Sequence, residues 1–103
     1  MSNESRRLFN ELDHAITVLN RERIGEITGA VSKADFFKVA KSVSDLRARY
    51  LKGVLKLGAC TEAGGIVSDQ AMEIKQLRQA YEEAAAGFEA LEHALHREYL
   101  TLS

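Results

Sequence analysis

Two histidines three residues apart, surrounded by carboxylates, hold the densest chemistry in the sequence. They are His93 and His96 in the stretch EALEHALHREYL, with Glu89 one turn ahead of His93. On a helix, residues three and four apart share a face. Glu89, His93 and His96 could therefore offer two imidazoles and a carboxylate to a zinc ion. A zinc centre needs three or four converging ligands with hydrogen-bonded support behind them. Bundle metal sites draw Glu-x-x-His pairs from two helices and point them inward, and that motif is absent. The heptad phase also opposes the idea. Leu91 and Leu95 take the inward positions, which turns Glu89, His93 and His96 to the opposite, wet face. They are weak metal candidates, and no metal or cofactor is expected.

The other reactive side chains are more isolated. His14 lies near Glu11 and Asp13 with nothing distinctive around it. Cys60 is the single cysteine, so no disulfide can form within the chain. Its neighbours Gly58, Ala59, Thr61 and Glu62 supply no cation or imidazole to depress a thiol pKa. The glycines of GACTEAGG, residues 58–65, lack the order of a phosphate-binding loop. They read as a chain reversal. No catalytic residues emerge, and the chain is not expected to be an enzyme.

Those side chains must be carried by helices. The chain has 103 residues, 46% hydrophobic and 28% charged, which fits one folded domain rather than a disordered segment. Proline is absent, so no helix carries a proline break. Apolar residues recur at helical spacing almost throughout. The reading is an all-α, three-helix antiparallel bundle built on a long helical hairpin, with helices at about 5–25, 32–57 and 68–101. In the first helix, Leu8, Leu12, Ala15 and Leu19 form the apolar stripe. Ser32 and Ser68 are placed as N-caps of the second and third. The second then steps Phe36, Val39, Val43, Leu46, Tyr50, Gly53, Leu57. The third steps Ile74, Leu77, Tyr81, Ala84, Phe88, Leu91, Leu95. Alternating steps of three and four make a heptad seam. Gly58 is read as the end of the second helix, and residues 58–67 as a loop.

Charge favours pairing the second helix with the third. Residues 32–57 carry seven Lys and Arg against two Asp, whereas residues 68–103 carry seven Asp and Glu against three Lys and Arg. In an antiparallel hairpin, Lys56 falls opposite Glu73, and Lys33 opposite Glu92.

Function is narrowed mainly by exclusion. The N-terminal stretch has no apolar core of a signal peptide, and no apolar run is long enough to span a bilayer. A cytoplasmic location is the expectation. Net charge is −1, which does not favour nucleic acid or membrane surfaces. The seven cations of the second helix make nucleic-acid binding an alternative reading, and the histidine pair makes metal binding a second one. Apolar residues outside the seams carry the main expectation. Phe37, Leu51 and Leu55 on the second helix, and Tyr99, Leu100 and Leu102 at the end of the third, read as interface residues. A homo-oligomer, most simply a dimer, that presents helix grooves to a protein partner is the expected function.

Overall fold

A computed structural model describes residues 2–65 and 67–103 of the chain. Its architecture is all-α. Helices α1 (Asn3–Thr28), α2 (Lys33–Glu62) and α3 (Ser68–His96) are accompanied by two short strands, β1 (Ala30–Val31) and β2 (Thr101–Leu102). Contacts divide the chain into two compact units. One is Ala34–Leu91, and the other joins the residues up to Lys33 with Glu92–Ser103.

The Ala34–Leu91 unit is the α2–α3 hairpin. Along α2, Phe36, Val39, Val43, Leu46, Tyr50 and Leu57 are half-buried, and Gly53 is buried. Along α3, Ile74, Leu77, Tyr81, Ala84, Phe88 and Leu91 are half-buried. These are the seam positions set by the heptad spacing. Leu95, one turn further on, is exposed. The contacts ascend α2 as they descend α3, which makes the hairpin antiparallel. Arg47 meets Tyr81, Gly53 meets Leu77 and Ile74, and Lys56 lies 3.8 Å from Glu73. Both members of that ion pair are at least half exposed, so it contributes at most about 1 kcal/mol.

The reversal differs from the sequence reading. Gly58 does not stop α2, which continues one more turn to Glu62. A lone glycine inside a helix costs only about 0.5–1 kcal/mol relative to alanine, and Leu57 and Cys60 continue the half-buried face across it. The stop is made by the glycine pair. Gly64 takes the left-handed conformation, with φ +76°. Its N–H donates to the Thr61 carbonyl at 3.0 Å, and the Gly65 N–H donates to the Cys60 carbonyl at 2.9 Å. That is a Schellman cap, which satisfies carbonyls the helix end leaves open. Of the expected loop, residues 58–62 are helical, and Ile66 lies outside the described residues. The start of α3 also shifts by one. The Val67 carbonyl accepts the first helical bond, from Ala71 N–H at 2.8 Å, so Val67 holds the N-cap position and Ser68 is the first helical residue.

The second unit is built on α1. Ser2 caps it, its hydroxyl accepting from the Ser5 N–H at 3.1 Å. Gly29 closes it at φ +66°, donating to the Gly25 carbonyl at 3.0 Å. The C-terminal residues return along this helix. The expected third helix to residue 101 ends instead at His96. Glu98 adopts φ +59°, the Glu98 N–H donates to the Leu95 carbonyl at 3.0 Å, and the Tyr99 N–H to the Ala94 carbonyl at 2.8 Å. This is a second Schellman cap, with glutamate where glycine is usual. β2 then pairs in parallel with β1, Ala30 beside Thr101 and Val31 beside Leu102, and the Ser103 N–H donates to the Val31 carbonyl at 3.0 Å.

Within this unit α1 turns a different face inward from the one its apolar spacing indicated. Thr17, Asn20, Ile24 and Gly25 are half-buried, while Leu8, Phe9, Leu12, Ile16 and Leu19 are exposed. The cause is the chemistry of the tail. The buried Tyr99 carries a hydroxyl, which packs best beside polar side chains. Arg21 donates to the Glu98 carbonyl, and Asn20 and Thr17 are the polar side chains beside the Tyr99 hydroxyl.

Candidate interaction surfaces

Two grooves flank the α2–α3 seam. The first, of about 330 Å³, is lined by Arg47, Tyr50, Leu51, Arg78, Tyr81 and Glu82. Tyr81 is a seam residue, and a tyrosine packed between helices needs a partner for its hydroxyl. Arg47 provides one. Its Nε and Nη2 both donate to the Tyr81 hydroxyl oxygen, at 3.2 and 2.8 Å. The guanidinium carbon also lies 5.3 Å from the Tyr81 ring centroid, within cation–π range. Tyr50 meets the same ring edge to face, with centroids 6.3 Å apart. Leu51, one of the expected interface residues, stands at the rim of this groove. The sequence reading missed the Arg47–Tyr81 clamp, although the tyrosine in the seam was the available signal.

The second groove, of about 280 Å³, is lined by Arg49, Lys52, Gly53, Lys56, Glu73 and Leu77. Three of the seven cations of α2 line this groove. Gly53 makes the floor, because a Cβ there would stand 3.1 Å from Leu77 Cδ1. Glu73 offsets part of the positive charge through Lys56.

The remaining expected interface residues divide. Phe37 and Leu55 are 64% and 75% exposed on α2, and Leu102 is exposed on β2. Leu100 is half-buried. Tyr99 is 8% exposed and is the one buried hydrophobic side chain among the described residues. The neighbouring polar side chains, Arg97 first and then Asn20 and Thr17, hold the phenol below its usual pKa against the opposing effect of burial. The Arg97 guanidinium lies 5.9 Å from the ring centroid. Tyr99 thus anchors the tail to α1 rather than standing at the end of an overhanging helix.

The reactive side chains are not gathered into a centre. Glu89, His93, His96 and His14 are all exposed. Among the described residues no three His, Cys, Asp or Glu side chains converge as metal ligands. Cys60 is half-buried on α2, with the Gly65 backbone close against Sγ. Among the described residues no helix is long and apolar enough to cross a membrane. No protein-family model matches the chain, and no curated protein or solved structure is similar to it.

Proposed function

We propose that this chain is a non-enzymatic helical protein-interaction module that works as a homodimer through helix–helix contacts. One observation carries the reading. Among the described residues a single hydrophobic side chain is buried, while fifteen large hydrophobics are exposed. Isolated exposed leucines are ordinary, but contiguous apolar faces mark interfaces. Phe37, Leu51 and Leu55 offer such positions on α2, and Leu100 and Leu102 on the tail. The chemistry of binding is helix-in-groove packing, which needs apolar faces and no reactive centre.

Sedimentation of the native chain across the micromolar range tests this reading. The expected result is a dimer that dissociates on dilution. A soluble monomer throughout, with no uptake of an apolar dye, would overturn it.

A second reading has one observation in its favour. Arg49, Lys52 and Lys56 face one groove on α2, and such a groove can follow a phosphate backbone. A gel shift with duplex and single-stranded probes at several salt concentrations tests it. Binding that falls steeply with salt would support nucleic-acid recognition. The groove holds no exposed aromatic platform and carries the Glu73 carboxylate, so the protein-interaction reading is preferred.

A further inference from the structure

We infer that the exposed stripe of α1 is covered by the same stripe of a second copy, with the two helices antiparallel. This inference rests on the homodimer reading and places the contact between copies on α1, which leaves Phe37, Leu51 and Leu55 of α2 to a protein partner.

The stripe is Leu8, Leu12, Ala15 and Leu19, widened by Phe9 and Ile16. Its five large side chains are exposed, each by 44% or more. It runs at heptad spacing, the pattern that keeps a seam facing another helix. The tail does not use it. At 100° per residue, the face that holds Tyr99 and the tail, centred on Thr17, Asn20, Arg21 and Ile24, is turned about 140° away. Unit 1 is therefore complete on one side of α1 and apolar on the other.

Area and charge indicate a second copy. With its large side chains about half exposed, complete mutual burial of the two stripes would remove at most about 1,000 Å², the threshold for a specific interface. An isologous contact doubles one stripe without requiring another surface. In the antiparallel register, Leu8 stands opposite Leu19 of the second copy, and Leu12 opposite its Ala15. Phe9 then falls near Ile16 of that copy across the seam. The charges select this direction. Glu22 and Glu26 continue the seam at the C-terminal end of α1, Glu26 in an exposed ion pair with Arg23 at 2.7 Å. A parallel pair would set each of them against its own copy, carboxylate against carboxylate. The antiparallel pair instead brings that end to the first turn of the other α1. There the seam position opposite Glu22 is the uncharged Ser5, and the positive end of the helix dipole favours a carboxylate even with Glu4 in that turn.

Cysteine cross-linking in a Cys60→Ser background tests the geometry. Leu8→Cys and Leu19→Cys chains are oxidised separately and as an equimolar mixture, alongside sedimentation of the same samples. The expected result is a disulfide-linked dimer in the mixture and little in either chain alone. A dimer linked by Leu8→Cys alone would overturn the antiparallel direction. Sedimenting dimers with no cross-link in any sample would overturn the α1 contact while leaving the homodimer reading intact. A native chain that sediments only as monomer would overturn both. Leu12→Glu with Leu19→Glu supplies a check independent of disulfide geometry. Both sites are exposed in the single chain, so its circular dichroism should be unchanged while the dimer dissociation constant rises at least tenfold. An unchanged dissociation constant would overturn the inference.

Discussion

Arg21 donates a hydrogen bond of 3.2 Å from Nε to the backbone carbonyl of Glu98, a residue 77 positions later. The bond ties the left-handed turn after α3 to the side of α1. Glu98 adopts φ +59°, a conformation that costs a residue with a Cβ about 1–2 kcal/mol. Glu98→Gly should keep the carbonyl for Arg21 and remove that cost. We expect it to stabilise the fold by about 1 kcal/mol, somewhat less than the full relief because the unfolded chain also gains freedom. Urea unfolding measures it, and a lower midpoint in the variant would show that the glutamate side chain contributes more than its backbone strain.

The hydroxyl of Tyr99 sets a pH dependence. Its partners Arg97, Asn20 and Thr17 favour the phenolate, and its pKa lies below the ordinary value of 10.0 in the fold. A group with a lowered folded pKa adds stability above its unfolded pKa and loses that contribution as pH falls through the folded one. The tail should therefore become more firmly held as pH rises through the lowered folded pKa and the ordinary phenol range. Titration of ring-labelled tyrosine by NMR separates Tyr99 from Tyr50 and Tyr81. Arg97→Gln should return the Tyr99 midpoint toward 10; a midpoint at 10 in the native chain would remove the proposed coupling.

How much was legible follows from where apolar periodicity decides structure. In α2 and α3 the seam residues from Phe36 to Leu57 and from Ile74 to Leu91 turn inward as their spacing requires. The Lys56–Glu73 pair also follows from the register. In α1 the same logic identified a real stripe but assigned it to the core. Its inward face mixes Thr17 and Asn20 with Ile24 and Gly25, because what packs there is a turn and a phenol. Nothing local marks that turn. HREYLTLS has no glycine or proline, and the left-handed residue is Glu98. The end of α2 was misplaced for a related reason. Of the glycines at 58, 64 and 65, it is Gly64 that takes the left-handed conformation a Schellman cap requires. The Arg47 clamp depends on tertiary approach, which heptad positions alone do not specify.

The helix glycines should respond in opposite ways to added side chains. A Cβ at Gly58 or Gly87 would meet nothing within 4 Å. Gly58→Ala and Gly87→Ala should each stabilise by about 0.5–1 kcal/mol through helix propensity. At Gly53 a Cβ would stand 3.1 Å from Leu77 Cδ1 and 3.5 Å from Ile74 Cγ1. Leu77 can yield slightly at its tip, so Gly53→Ala should be nearly neutral, the propensity gain offsetting the crowding. Gly53→Val should overpack the seam and destabilise by about 1–3 kcal/mol. Thermal unfolding of the four variants checks the order; a stable Gly53→Val chain would mean that α2 and α3 do not approach closely there.

Arg47 and Tyr81 offer the sharpest test of the hairpin itself. Two donors reach one hydroxyl oxygen, and the guanidinium also lies near the ring. The two contributions can be separated. Tyr81→Phe removes the acceptor but keeps the ring, whereas Arg47→Met removes the charge but keeps an unbranched side chain. A net hydrogen bond of this kind contributes about 1 kcal/mol, and a cation over an exposed aromatic about 0.5–1 kcal/mol. Tyr81→Phe should therefore cost about 1 kcal/mol, and Arg47→Met somewhat more because it loses both. The double variant should cost less than the two singles combined, by about 1 kcal/mol of coupling. Coupling near zero in a urea-unfolding cycle would mean that solvent screens the exposed pair and that the apolar seam alone sets the register of α2 against α3.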